Sequence, residues 1–165
     1  MSAQKDIIVA LDEGTTNAKA VALDAQGNVV AKSARPLTIQ TPREGWVEQS
    51  GEALLQASLA VISEVIAQVG PERVAALAIS NQRETAIGWY RASGLPLGPA
   101  ITWQCSRTAD FCHALREQGQ DAKIKAVTGL PVAPLFSASK MRWRVWAFLS
   151  CMAGLQILWK QYYAH

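Results

Sequence analysis

Apolar and polar residues alternate in blocks over the first 35 residues, and the pattern predicts three β-strands. Segments 6–12, 18–23 and 29–34 are rich in Val, Ile, Leu and Ala, and short polar turns separate them. Gly27 and Asn28 lie in the second turn, where both residue types tolerate a positive φ. A parallel connection needs a dozen or more residues, so two short connections in succession predict an antiparallel meander.

A helix and a further strand follow the meander. Five apolar residues after Ser50 recur at intervals of four and three, the spacing of an amphipathic helix. They are Leu55, Leu59, Ile62, Ile66 and Val69. Ser50 is the expected N-cap and Gly70-Pro71 the expected stop. Residues 74–80 are almost wholly apolar and predict a buried strand.

The rest of the chain predicts shorter elements. We expect a strand over 85–90, an extended segment over 101–103, and helices over 108–118 and 121–127. The order of meander, helix and buried strand is that of an α/β fold. It is the opening of a ribonuclease-H-like unit, as in actin-like ATPases and sugar kinases, and this is a fold-level analogy.

Charge divides the chain near residue 122. The net charge is +3, yet all 13 acidic residues lie at or before Asp121, and six basic residues follow with no acid. Such asymmetry marks a nucleic-acid or membrane tail, or a stretch not selected with the rest of the fold. Residues 145–159 are uncharged, but a membrane span needs roughly 18 apolar residues. We therefore expect neither nucleic acid nor a membrane as partner.

The cysteine pattern and the N-terminal residues argue against several classes of protein. The three cysteines form no Cys-x-x-Cys pair and there are only two histidines. This excludes a disulfide scaffold or a zinc module by sequence pattern. The polar start is not a signal peptide, so a cytoplasmic location is expected.

The first candidate site lies between the first two strands. Asp12 ends a strand, where a carboxylate can hold Mg²⁺, and Gly14 lets a phosphate approach the backbone. Thr15 and Thr16 offer hydroxyl and N–H donors, and Lys19 adds positive charge. On these residues alone, an ordinary polar hairpin loop remains the alternative.

The second candidate site lies after the strands at 74–80 and 101–103. Arg83 and Glu84 can donate to one hydroxyl and accept from the next, which suits a polyol; a surface ion pair is the alternative. Trp103 can lie against the C–H face of a sugar while Gln104 bonds a hydroxyl. A core tryptophan is the alternative interpretation of Trp103.

Six short motifs together resemble the FGGY carbohydrate kinases, and most closely the glycerol kinases of that family, over about residues 6–143. Each is modest alone, but they occur in the family's order and spacing. They are Leu11-Asp12-Glu13-Gly14-Thr15-Thr16, Gly45-Trp46-Val47-Glu48-Gln49, Ser80-Asn81-Gln82-Arg83-Glu84-Thr85, Trp103-Gln104-Cys105-Ser106-Arg107-Thr108, Thr128-Gly129-Leu130 and Phe136-Ser137-Ala138-Ser139-Lys140.

The resemblance implies ATP-dependent phosphorylation of a polyol or sugar hydroxyl. By the same resemblance, Asp12 would bind Mg²⁺. The ATP phosphates would meet Gly14, Thr15, Thr16, Asn17 and Lys19, the last standing where glycerol kinases have an Arg. Arg83, Glu84, Trp103 and Gln104 would bind substrate. The intact family protein is a candidate homo-oligomer.

Three departures from the family qualify this expectation. Leu135 stands where glycerol kinases carry a substrate-contacting Tyr, so another polyol or sugar becomes plausible; Glu13 replaces the usual Gln. No residue of this chain matches the family's catalytic Asp base, so the chain alone is expected to be inactive.

The resemblance also sets the expected domain boundary. Residues 6–143 would be the N-terminal part of the kinase's first domain. Residues 144–165 would be a divergent basic and apolar tail, translated out of frame or truncated, with a genuine divergent helix as the alternative. A non-catalytic sugar- or partner-binding module is the alternative function.

Overall fold

The main layer is a four-stranded sheet with one long helix on it. The structure is a computed structural model that describes residues 5–152. Its strands are β1 (Ile7–Glu13), β2 (Asn17–Leu23), β3 (Val29–Pro36), β4 (Glu48–Gln49), β5 (Val74–Asn81) and β6 (Ala100–Ile101). Its helices are α1 (Gly51–Val69), α2 (Ala109–Glu117), α3 (Gln120–Thr128) and α4 (Ser137–Met152), with a 3-10 turn at Pro71–Arg73.

The sheet has the topology that the sequence predicts. Its order is β3-β2-β1-β5, with antiparallel pairing from β1 through β3 and parallel pairing of β1 with β5. Helix α1 supplies the crossover that the parallel pair requires. The predicted meander and the ribonuclease-H-like α/β fold are both confirmed.

Buried and exposed side chains alternate along β1 and β2, and the buried set forms the core under α1. Ile7, Val9 and Leu11 of β1 face the same side as three alanines of β2, and Val61 and Val65 of α1 cover them. The alanines are Ala18, Ala20 and Ala22. Their small side chains let the helix lie close to the sheet, and burying each large aliphatic residue stabilises the fold by about 1.5–3 kcal/mol.

Both predicted ends of α1 are confirmed. The Ser50 hydroxyl accepts a hydrogen bond from the amide of Ala53 at 3.2 Å. Gly70 has a φ of 89°, and its amide donates to the carbonyl of Ile66 at 2.9 Å. Each end of the helix therefore has a partner for a backbone group that helical geometry leaves unpaired.

The predicted buried stripe of α1 is partly wrong. Ser58, Val61 and Val65 are the buried residues, whereas Leu55 and Leu59 are 56% and 49% exposed. Glu64 lies on the β3 side of the helix, where it accepts a hydrogen bond from Ser33 of β3 at 2.6 Å. With about 100° of rotation per residue, that orientation turns Leu55 and Leu59 toward the side of β5.

Strand β5 is not buried as predicted. Helix α1 packs on β1, β2 and β3, and β5 is an edge of the described sheet. Leu77 and Ile79 are consequently 48% and 67% exposed. Together with Leu55 and Leu59 they leave an apolar surface open within the described residues, a liability for aggregation.

The strand predicted over 85–90 does not form. The segment makes two isolated bridges, Ala86 with Ile101 and Trp89 with Pro96. A tight turn follows the second bridge, where the Tyr90 amide donates to the Leu95 carbonyl at 2.8 Å. The ladder is too short to be a strand, and β6 pairs with β4 instead.

The two short helices α2 and α3 confirm their predictions within one or two residues. Helix α4 runs through residue 143, where the sequence predicted a boundary. Residues 153–165 of the predicted tail lie outside the described part of the chain.

A buried ion pair joins β4 to the residue before the N-cap of α2, and α4 packs on this pair through Trp143. The Arg107 side chain is 1% exposed and donates to the Glu48 carboxylate at 2.6 Å. Its guanidinium lies 3.9 Å from the ring centre of Trp46 and 4.7 Å from that of Trp143. Trp46 and Trp143 meet edge to face, with centroids 5.2 Å apart. Trp46 therefore packs against the guanidinium of Arg107 and the ring of Trp143.

Among the described helices, α1 alone is long and apolar enough to cross a membrane, with a mean hydropathy of 1.4. In this structure it lies on the sheet, with Val61 and Val65 fully buried.

Leu11 and Ile79 offer a matched test of which strand the core covers. They are register partners on β1 and β5, so their side chains project from the same face of the sheet. Leu11 is 6% exposed, so Leu11→Ala should lower the free energy of unfolding by about 2–4 kcal/mol. Ile79→Ala should cost less than about 1 kcal/mol and reduce aggregation. Urea unfolding and light scattering measure the two effects; equal losses would contradict the described core.

Two serine substitutions in the α1 region test the cap. Ser50→Ala should lower the free energy of unfolding by about 1 kcal/mol, because the Ala53 amide loses its partner. Ser63→Ala, at an exposed position inside α1, should leave it unchanged or raise it by a few tenths of a kcal/mol. Urea midpoints measure both, and the cap assignment fails if the two variants shift in the same direction.

Candidate functional site

A cavity of about 570 Å³ opens at the carboxyl ends of β1 and β5. Parallel pairing sets Asp12 opposite Ser80 and Glu13 opposite Asn81, so the loops that follow both strands emerge side by side. Ligands of α/β sheets commonly bind at this edge. The cavity is lined by Asp12, Gly14, Thr15, Asn81, Gln82, Arg83, Glu84, Trp103, Leu130, Leu135 and Phe136.

The β1–β2 turn presents backbone and hydroxyl groups to the cavity. The Gly14 amide donates to the Asn17 carbonyl at 3.0 Å, which closes the turn. A Cβ atom on Gly14 would lie only 3.1 Å from that carbonyl, so the close approach favours glycine. Asp12 stands opposite Lys19 in the antiparallel ladder, so a carboxylate and an ammonium group occupy one face.

A hydrogen bond links this turn directly to the predicted substrate wall. The indole N–H of Trp103 donates to the Thr15 hydroxyl at 2.9 Å. The Trp103 amide donates to the Thr85 hydroxyl at 3.3 Å, which holds the backbone as well as the ring. The Trp103 side chain is therefore fixed at the cavity, and the residue remains 40% exposed.

Two glutamines form a relay behind the cavity. Gln49 is 1% exposed and donates through its side-chain amide to the Thr15 carbonyl at 2.8 Å. Gln82 donates to the Gln49 side-chain carbonyl at 2.9 Å and to the Glu13 carboxylate at 3.2 Å. Thr85 then donates to the Gln82 side-chain carbonyl at 3.0 Å. The relay connects β4, the β1–β2 turn and the loop after β5.

Glu84 has a backbone conformation unusual for its residue type. Its φ is +67°, and among the described residues it is the one non-glycine with a positive φ. Such a conformation costs of order 1–3 kcal/mol and is found most often at functional sites. The carboxylate oxygen Oε2 accepts from the amide and the hydroxyl of Ser137 at 2.9 and 3.0 Å. The first turn of α4 thus orients Glu84.

Glu13 is a half-buried carboxyl beside a second acid. Burial raises the pKa of Glu13 above its ordinary value; the Gln82 hydrogen bond opposes this rise and the negative charge of Asp12 adds to it. The charged form is therefore the costly one at neutral pH.

A buried lysine holds the opposite wall of the cavity. Lys140 has no exposed surface and donates through Nζ to the carbonyls of Pro134, at 2.7 Å, and Leu135. Burial lowers the pKa of Lys140 from its ordinary value. The segment that carries Leu135 and Phe136 is thereby fixed from inside the molecule.

Asp12 is the residue best placed to hold a divalent cation at the cavity. Carboxylate oxygen is the donor that Mg²⁺ prefers, and Mg²⁺ commonly binds through one or two carboxylates plus phosphate and water. The described residues contain no cluster of three or more acidic, histidine or cysteine ligands. The donor chemistry therefore fits a cation held jointly by protein and phosphate, and no all-protein cage.

The structure brings together six of the predicted site residues. Asp12, Gly14, Thr15, Arg83, Glu84 and Trp103 line the cavity. The other predicted residues stand outside its lining: Thr16, Asn17, Lys19 and Gln104. Thr16 and Asn17 bond to each other at 3.2 Å, and Gln104 is exposed.

Sequence reasoning missed the residues that support the site. Gln49 and Gln82 lie within the quoted motifs, but a single buried polar residue carries no sign of its partners. Ser137 and Lys140 also lie within a quoted motif, but the sequence did not indicate which groups they would contact. The motif matches were the available signal that these polar residues act at one place.

Comparisons with known proteins agree with this geometry. Residues 7–146 match the N-terminal domain of the FGGY family of carbohydrate kinases. The glycerol kinase of Burkholderia vietnamiensis is 43% identical over 142 residues, which cover 85% of this chain and 28% of that protein.

Solved structures show the same fold. The Plasmodium falciparum glycerol kinase with ADP gives a TM-score of 0.76 at 26% identity, over 85% of this chain and 28% of that one. A xylulose kinase from Rhodospirillum rubrum gives 0.75 at 26% identity, over 83% of this chain and 28% of its own. The chain thus spans about 28% of the length of these relatives, and on its family match it belongs to the FGGY family of carbohydrate kinases.

Proposed function

We propose that this chain forms the polyol-binding wall and part of the phosphate-binding wall of an ATP-dependent carbohydrate kinase. The observation that carries the proposal is that Asp12, Gly14 and Thr15 line the same cavity as Arg83, Glu84 and Trp103. The family membership and the similarity to a glycerol kinase solved with ADP support ATP as the phosphoryl donor. Location in the cytoplasm stays an expectation.

Arg83 and Glu84 bind the substrate hydroxyls in this proposal. Arg83 donates, and the Glu84 carboxylate accepts while Ser137 holds its Oε2 atom. Trp103 offers its ring to the C–H face of the polyol, and its indole bond to Thr15 keeps that ring in place. The substrate hydroxyl is thereby oriented toward the β1–β2 turn.

Asp12, Gly14 and Thr15 face the phosphates. Gly14 allows close approach of the backbone, and the Thr15 hydroxyl can still donate while it accepts from Trp103. Lys19 adds positive charge opposite Asp12 in the ladder. Mg²⁺, when bound at Asp12, would neutralise charge on the phosphates. Positioning and charge stabilisation dominate catalysis of phosphoryl transfer.

Turnover belongs to the whole kinase in this proposal, and the 165-residue chain binds without phosphorylating. A stand-alone sugar-binding module would use the same cavity. The two differ in their response to nucleotide: ATP with Mg²⁺ should shift the amide signals of Gly14 and Thr15 if the chain is part of a kinase, whereas a stand-alone module should respond to the polyol alone.

Substitution of Glu84 tests the substrate-binding assignment. Glu84→Gln removes a charged acceptor, so affinity of the chain for a polyol should fall on the order of 10- to 100-fold. Glu117→Gln is the matched control, since Glu117 is exposed on α2 outside the cavity lining. Titration of polyols followed by tryptophan and amide NMR signals measures both. Equal affinities in the two variants would sink the assignment of Glu84.

The raised pKa of Glu13 predicts a pH-dependent gain from its amide counterpart. Glu13 stabilises the folded state fully at pH values below its ordinary pKa of 4.5. This stabilisation is lost as the pH rises through the higher pKa of the folded state. Glu13→Gln should therefore stabilise the chain more at about pH 7 than at about pH 4, while retaining an acceptor for Gln82. Urea unfolding at both pH values measures this, with exposed Glu44→Gln as control. A gain independent of pH would contradict the assigned cause.

A further inference from the structure

The cavity has two chemically different walls. Arg83 and Glu84 contribute charged groups to its lining, and Leu130, Leu135 and Phe136 contribute apolar side chains. Leu130 and Leu135 are 45% and 41% exposed, so both present free apolar surface. A ligand that fills this space meets hydrogen-bonding groups along one edge and hydrocarbon along another.

Backbone groups on the apolar wall are already engaged. The Leu130 amide donates to the Thr128 hydroxyl at 3.1 Å, and that hydroxyl has its shortest acceptor contact with the Ile124 carbonyl, at 2.9 Å. The Phe136 amide donates to the Ala133 carbonyl at 3.3 Å. The Leu135 carbonyl accepts from Lys140. A ligand hydroxyl directed at the side chains of Leu130, Leu135 and Phe136 would lose water and gain no hydrogen bond from them.

The apolar wall is also held at a fixed distance from the polar wall. Lys140 anchors the carbonyls of Pro134 and Leu135 from the buried side. Two residues after Leu135, the amide and hydroxyl of Ser137 bond Glu84, which belongs to the polar wall. The backbone at Leu135 is therefore held next to the segment that contacts Glu84.

We propose that this site selects a polyol or sugar that lacks a hydroxyl at the carbon facing Leu135, a deoxy or C-methyl compound. The proposal rests on the proposed function, because it assumes that Arg83 and Glu84 bind the hydroxylated edge. An apolar pocket discriminates against an added hydroxyl by up to about 100-fold. Because this wall is partly open to solvent, we expect a preference of about tenfold.

Two pairs of compounds that differ by one hydroxyl test this. L-fucitol against galactitol, and propane-1,2-diol against glycerol, are titrated into the full chain and followed by NMR shifts of the tryptophan and amide signals. The deoxy member of at least one pair should bind about tenfold more tightly. Glu84→Gln should weaken both members alike.

Variants at Leu135 connect the preference to this residue. Leu135→Tyr brings a hydroxyl to the wall and should abolish or reverse the preference, while Leu135→Met keeps the wall apolar and should retain it. Leu135→Thr supplies a smaller hydroxyl group if the tyrosine variant does not fold, as judged by its amide spectrum.

The outcomes separate this inference from the function on which it rests. Binding of none of the four compounds overturns the proposed function, and the inference with it. Binding in which the fully hydroxylated members are equal or stronger overturns the inference and leaves the function standing. A deoxy preference that Leu135→Tyr or Leu135→Thr leaves unchanged also overturns it, because the discrimination then lies elsewhere.

Discussion

The parallel pairing of β1 with β5 is the contact on which the candidate site depends. It sets Asp12 and Glu13 beside Ser80 and Asn81, so the two loops that carry the polar residues leave the sheet at the same edge. Helix α1 makes this pairing possible as the crossover, and the aliphatic core between α1 and the sheet stabilises it. A break in the pairing would separate the phosphate-facing turn from the loop of Arg83 and Glu84, although neither loop contributes to the core.

Polar contacts then convert this adjacency into a defined geometry. The Gln49–Gln82 relay connects the β1–β2 turn to the loop after β5, and Trp103 bonds both Thr15 and Thr85. Glu84 keeps a strained backbone because Ser137 of α4 holds its carboxylate. Such buried networks lock side chains when every member is satisfied. The site is therefore organised before any ligand arrives, which lowers the ordering cost of binding.

Local patterns were sufficient to predict the meander, the ends of α1 and the crossover to β5. Short connections, a capping serine and a glycine stop act through neighbouring residues, so the sequence displays them directly. The buried face of α1 differs from the predicted one because the helix packs on β1, β2 and β3, and these contacts are distant in sequence. The exposure of β5 depends on which elements pack against it. The apolar sequence of residues 74–80 does not contain that information. The segment 85–90 forms no strand because its pairing changes register between the Ala86–Ile101 and Trp89–Pro96 bridges, so no continuous ladder results.

The site, too, contains some residues that the sequence could predict and others that it could not. Asp12, Gly14 and Thr15, and also Arg83, Glu84 and Trp103, could be proposed because their motifs occur in a family order. Thr16, Asn17, Lys19 and Gln104 came with the same motifs but lie outside the cavity lining. The roles of Gln49, Ser137 and Lys140 are set by distant partners, so only coordinates reveal them.

The most direct test of the central claim is to map where a polyol sits on the chain, by intermolecular nuclear Overhauser effects from its carbon-bound protons. If one cavity binds the polyol, these protons should contact the Trp103 ring and the Leu135 methyl groups, which both line it. Contacts instead with Leu77 and Ile79, on the open apolar surface beside α1, would contradict that claim.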